Sequence, residues 1–201
     1  MQARIAADTR TAPTLVASLE PLAERTVGGA RWRALLADGR AELTRRVLAR
    51  AIDIAPTIPT RLTDSTGKEH SFAELSGGQL TFVHYWTRQC GDAMAELSKA
   101  DSVAQRLAAM GVRVLNVTLD ERSPETDEVI RKKRLTGPVY HDLRKTIEHG
   151  FNQWSSPAYL LIDANGRVRY QVNANPDQVM PYALALRGTR RVAATSSSRR
   201  P

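Results

Sequence analysis

The run Leu80-Thr-Phe-Val-His-Tyr-Trp86 constrains this chain more than any other stretch of it. It holds no Asp, Glu, Lys or Arg and is rich in β-branched and aromatic side chains. At seven residues it has the length of a strand, and its continuity is that of a central strand covered on both faces. The residues after it agree with that reading. From about Asp92 to Met110 the residues Ala93, Leu97, Ala100, Ala104, Leu107 and Ala108 recur on one helical face, and Gly111 ends the helix. Val112–Thr118 is then a second buried strand. Strand, amphipathic helix and strand form a βαβ unit, which places helices over the sheet.

The segments on either side extend this unit. Arg61–Phe72 reads as two short strands about a turn at Asp64–Gly67, and 73–78 as a helical turn and loop. Ser123-Pro124 opens a helix that runs to about Arg134, with Ser as its cap and Pro in its first turn. A short strand near Pro138–Tyr140 leads to a helix over 143–150. Pro157–Asp163 and Arg167–Val172 flank Asn165-Gly166, a strong hairpin signal, and a last helix spans about 176–187. The expected class is α/β, a mixed central sheet with helices on both faces. Upstream, 14–26 reads as helical and 30–52 as one amphipathic helix carrying Trp32, Leu35, Leu36, Leu43, Val47, Leu48 and Ile52. Pro56 and Pro59 mark a boundary, so residues 1–54 are expected to be a helical extension and 189–201 a disordered basic tail.

The net charge of +8 raises the question of nucleic acid. The arginines are spread along the chain, aromatics are only 5%, and no basic–aromatic stripe or zinc-finger spacing occurs, so no nucleic-acid partner is expected. No stretch approaches the roughly 20 apolar residues of a membrane span. The first ten residues lack the apolar core of a signal peptide. As it stands the chain is expected in the cytoplasm, or as an exported, periplasmic protein if a segment precedes it. His70, His84, His141, His149 and Cys90 show no metal-ligand spacing, and no phosphate or dinucleotide loop occurs, so neither a metal nor a cofactor is expected.

The chain has one cysteine. A lone cysteine is ordinarily a buried small hydrophobe. Cys90, however, falls between the buried strand and the start of the amphipathic helix, where unpaired amides and the helix dipole favour a negative charge on sulfur. That placement points to a reactive thiol.

The segment Trp86-Thr-Arg-Gln-Cys-Gly-Asp-Ala93 resembles the active site of thioredoxin-like disulfide reductases of the TlpA/ResA type. Ala55-Pro56, the Leu62–Gly67 turn, Ala95-Glu96-Leu97, Ser156-Pro157 and Asp163-Ala-Asn-Gly166 fall in that family's order, so the resemblance covers 55–188. It implies a thioredoxin-like domain there, with Ser156-Pro157 as a cis-proline loop against the thiol. The family's second cysteine falls on Ala93. A dithiol cycle completed within one subunit is therefore excluded. Thiol–disulfide exchange through Cys90, with resolution by an external thiol, remains. The alternatives are a one-cysteine peroxidase or redox sensor, and an idle interaction module. The expected partners are a protein or small-molecule thiol or disulfide and an external thiol reductant.

The resemblance also yields a site. Cys90, His84, Thr87 and Arg88 are its candidate catalytic residues, and Trp86, Gly91, Ser156 and Pro157 its candidate substrate-binding ones. His84 stands where thioredoxins keep a buried acid; it reads equally as a proton relay or as a hydrogen-bonded core histidine. Thr87 matches the Thr-x-x-Cys half of the peroxiredoxin motif, whose proline falls on Val83, and also reads as a β-branched residue ending a strand. Arg88 favours the thiolate and Asp92 opposes it. Trp86 reads as a packing platform beside the site.

Overall fold

The computed structural model of the chain describes residues 29–153, 155–173 and 175–187. The expected helix at 14–26 and the basic tail at 189–201 lie outside them. The chain divides into two compact units, one of them Ile52–Met180; the described parts of the other are 29–51 and 181–187.

In the second of these, α1 spans Gly29–Leu48 and buries Leu36, Leu43 and Val47 at helical spacing. It ends short of the expected Ile52. Residues 52–54 belong to the sheet unit instead. The Ile52 amide donates to the Arg169 carbonyl (3.0 Å), and Ile54 bridges Val168. Pairing with a sheet edge satisfies amides that another helical turn would have used.

The sheet unit contains seven strands: β1 (Arg61–Thr63), β2 (Glu69–Ser71), β3 (Thr81–Trp86), β4 (Arg113–Thr118), β5 (Val139–His141), β6 (Ala158–Ile162) and β7 (Val168–Val172). Their order across the sheet is β2-β1-β5-β4-β3-β6-β7. β3, β4 and β5 run parallel, and the hairpins β1–β2 and β6–β7 flank them with antiparallel pairing. The helices are α2 (Phe72–Ser76), α3 (Gly91–Ala109), α4 (Pro124–Lys133) and α5 (Thr146–Phe151). A 3-10 turn, Pro176–Gln178, precedes a helix over 179–187. No helix of the described residues is long and apolar enough to cross a membrane.

Local chemistry sets the element ends. Ser71 and Glu74 close a reciprocal capping box on α2, and Gly77 ends it in the left-handed region. Ser123 caps α4 through the Thr126 amide (3.2 Å), with Pro124 in the first turn. Every residue of β3 is buried, as its uninterrupted apolar run requires. Successive side chains alternate in face. Val83 and Tyr85 join a core with Leu115, Val117, Leu160 and Ile162, covered by Phe72 and Leu75 of α2 and Ile147 and Phe151 of α5. Trp86 faces the other way and packs with Ala93 and Leu97 of α3 and Val129 and Ile130 of α4. Helices thus cover both faces, and the chain leaves β3 for α3 at Cys90.

Candidate active site at Cys90

Residues 87–90 connect the carboxyl end of β3 to α3. Cys90 is the N-cap residue of α3 in extended conformation, and its side chain makes no capping hydrogen bond. The thiol turns the other way and donates to the carbonyl of Ser156 at 3.0 Å. The Ser156–Pro157 peptide bond is cis. The sheet register explains the meeting. β3 and β6 are antiparallel with Tyr85 opposite Ala158, so the end of β3 and the residues entering β6 lie side by side. The sulfur is partly buried, and Met94, Val129 and Ile130 pack against the same apolar cluster.

A buried carboxylate holds the connecting loop. Asp120 Oδ1 accepts from the Thr87 hydroxyl (2.6 Å). Its Oδ2 accepts from the Arg88 amide (2.7 Å) and the Thr118 hydroxyl (3.0 Å). The Asp120 carbonyl accepts from His141 Nδ1 (2.8 Å), which fixes the proton on that nitrogen. Gln153 does the same for the opposing loop. Its Nε2 donates to the Ser155 carbonyl (2.9 Å) and to Asn173 Oδ1 (3.2 Å).

The structure brings Cys90, Ser156 and Pro157 together and places the other candidates differently. Trp86 is fully buried, which corrects its reading as a substrate-binding residue: no surface of the indole is open to a ligand, and it supports Cys90 from beneath. Gly91 is exposed as the first residue of α3, with open space where a Cβ would stand. The Thr87 hydroxyl gives its only proton to Asp120, so it has none to offer a peroxide. Arg88 is exposed, and its charge helps to hold the Glu125 carboxyl below the ordinary range, behind hydrogen bonds from Ser123 and the backbone.

His84 is fully buried on β3. Its Nδ1 meets Asn116 Oδ1 at 3.1 Å, and the Asn116 amide donates to the Thr136 carbonyl (2.7 Å). That second bond fixes the amide orientation, so Nδ1 carries the proton and Nε2, which has no partner among the described residues, does not. Burial pushes the imidazole down to about 4, against the opposing pull of the Asn116 hydrogen bond and the Asp101 charge. His84 is therefore a neutral ring stacked on Tyr159, with centroids 5.4 Å apart.

Sequence reasoning missed Asp120 and Gln153. Each lies in a polar stretch just past or before a strand, and nothing in the sequence couples Asp120 to Thr87, 33 residues earlier.

Comparison with known proteins identifies the fold and the family model that the chain matches. A family model described as the AhpC/TSA family matches residues 53–171. Sporulation thiol-disulfide oxidoreductase A of Bacillus subtilis is 21% identical over 123 residues, 60% of this chain and 74% of that protein. Among solved structures, StoA from Bacillus subtilis superposes with a TM-score of 0.52 at 18% identity, covering 64% of this chain and 98% of its own. A thiol:disulfide interchange protein of the thioredoxin family from Chlorobium tepidum gives 0.51 at 20% identity, covering 65% and 97%. The fold is thioredoxin-like.

Proposed function

The chain belongs to the AhpC/TSA family, and from that membership we propose that it is a thiol–disulfide exchange protein working through the single sulfur of Cys90, with an external thiol completing each cycle. The observation that carries this reading is the Cys90 thiol at the start of α3, 3.0 Å from the Ser156 carbonyl of the facing loop. The similarity to a protein named as a thiol-disulfide oxidoreductase supports it. The reading concerns the sheet unit, Ile52–Met180, in place of the expected bounds 55–188.

Cys90 loses its proton to solvent and attacks one sulfur of a disulfide RS–SR′. A Cys90–SR bond forms, the S–S bond breaks, and R′S⁻ leaves and takes up a proton. Because Ala93 stands where a second sulfur would be, nothing within the subunit displaces R. An external thiolate R″S⁻ attacks the R sulfur, RS–SR″ departs, and Cys90 is regenerated. The net reaction exchanges R″ for R′, and the adduct persists until a second thiol arrives. A peroxide reaction is disfavoured because the Thr87 hydroxyl is bound to Asp120.

The test is incubation with a peptide disulfide followed by non-reducing electrophoresis and intact mass. Wild type is expected to give one adduct that dithiothreitol removes, and Cys90→Ser none. An adduct that survives Cys90→Ser, or no adduct from an accessible thiol with peptide disulfides or with oxidised glutathione, overturns the reading. In the second case the idle module leads.

A further inference from the structure

Asp120 is buried, at 6% exposure of the residue, and no cation pairs with its carboxylate among the described residues. Burying a carboxylate without a counterion is costly unless donors satisfy it. Asp120 is satisfied by three donors from two segments: Thr87 Oγ1 and the Arg88 amide on the thiol loop, and Thr118 Oγ1 at the end of β4. Its own backbone is held in turn. His141 donates to its carbonyl, the Thr118 hydroxyl accepts from its amide (3.1 Å), and the Asp142 amide donates to the Thr118 carbonyl (2.9 Å). Inside the loop, by contrast, Cys90 is tied back only by its amide to the Thr87 carbonyl (3.2 Å), beside a long contact from the Gln89 amide to Thr87 Oγ1 (3.3 Å). The anchor for this loop is therefore the carboxylate.

We propose that Asp120 is a positioning residue for the thiol. By gripping Thr87 and Arg88, it holds residues 87–90 so that the Cys90 sulfur faces the cis-proline loop at the angle exchange requires. The inference rests on the thiol-exchange reading of Cys90 and adds to it a residue outside the active-site segment. Attack on a disulfide runs along the axis of the bond that breaks, so the attacking sulfur must be aimed as well as accessible. An error of an ångström in such an approach can cost about a hundredfold in rate. Alkylation by a small neutral reagent makes no comparable demand on direction.

That difference supplies the test. The variants are Asp120→Asn, Asp120→Ala and Thr87→Val in the full chain. Asn is nearly isosteric: its carbonyl can face the Arg88 amide and the Thr118 hydroxyl, and its NH₂ can donate to Thr87 Oγ1. Each protein is assayed in two ways: release of thionitrobenzoate from a peptide mixed disulfide, and alkylation by iodoacetamide. Urea unfolding confirms the folded fraction. Asp120→Ala and Thr87→Val are expected to slow exchange about tenfold or more, with alkylation unchanged or faster because the loop is looser. Asp120→Asn is expected to stay within about threefold of wild type in both assays. If exchange and alkylation fall together, or exchange is unchanged in folded Asp120→Ala, the proposal is overturned. Should Asp120→Ala not fold, Thr87→Val decides, since it leaves the carboxylate on its other two donors. A wild type that forms no adduct at all overturns the exchange reading itself, and this proposal falls with it.

Discussion

At the scale of single residues, the thiol loop shows how little of a side chain's role lies in its type. Thr87 carries a hydroxyl three residues before the cysteine, yet that hydroxyl is turned to Asp120. His84 could have been a proton carrier, but removal from water makes it a neutral base held down at about 4. Its consequence is for stability. The unfolded chain takes up this proton near 6.5 and the folded chain only near 4. Between those values the unfolded state holds the extra proton, so stability is intact above about pH 6.5 and falls as the pH drops toward 4. The full loss is roughly 3 kcal/mol. Asp142, whose carboxyl burial raises, works in the opposite direction but is common to wild type and variant. His84→Phe keeps a flat ring beside Tyr159 and removes the titration. Urea midpoints at pH 7.5 and 4.5 should therefore fall more for wild type than for the variant; parallel losses would show that His84 does not govern this range.

At the scale of elements, the connection from α4 to β5 passes close against β4. Gly137 has a φ of +81°, and a Cβ there would stand 2.9 Å from the Val114 carbonyl oxygen. The loop must pass this close because Asn116 bonds the Thr136 carbonyl and Asp101 of α3 accepts the Thr136 amide. Gly137→Ala meets both the left-handed backbone penalty and the contact with β4. It should lose about 2–3 kcal/mol of stability in urea unfolding, whereas Gly39→Ala, in open space within α1, should not lose stability. A Gly137→Ala protein as stable as wild type would mean that the loop shifts freely away from β4. Elements whose ends are set by neighbouring residues, such as α4 with Ser123 and Pro124, matched their expected bounds closely. α1 did not, since the residues after it were claimed by β7, more than a hundred positions downstream.

At the scale of the whole molecule, the thiol and its opposing loop are brought together from positions 66 residues apart. The missing second sulfur is equally a whole-molecule matter, because in the proposed exchange it assigns half of the cycle to another molecule. Ala93 is fully buried beneath Cys90 in the cluster with Trp86 and Leu97. Ala93→Cys adds one sulfur at the place from which a resolving thiol would act. It should form an intramolecular disulfide on oxidation, detected as a mass loss of two hydrogens. It should also shorten the life of the peptide adduct by about tenfold or more. An adduct as long-lived as that of wild type would mean that the two sulfurs do not reach disulfide geometry, for which the Cα atoms must lie roughly 4.4–6.8 Å apart.

Sequence alone determined what depends on neighbours along the chain. The uninterrupted apolar run of β3 demanded cover on both faces, the 92–110 periodicity specified the helix after it, and Asn165-Gly166 specified the last hairpin. Cys90 at the junction of strand and helix, and the absence of any other cysteine, limited the chemistry to one sulfur. Tertiary structure decided what depends on register and on desolvation. The order of strands set the β1–β2 hairpin beside β5, and the antiparallel pairing of β3 with β6 set the Ser156 carbonyl on the sulfur. Burial made His84 neutral and enclosed Trp86. Asp120 acquired its role only because the ends of two parallel strands lie side by side. A carboxylate there is one more polar residue in the sequence until folding removes its water and leaves it the donors of the thiol loop.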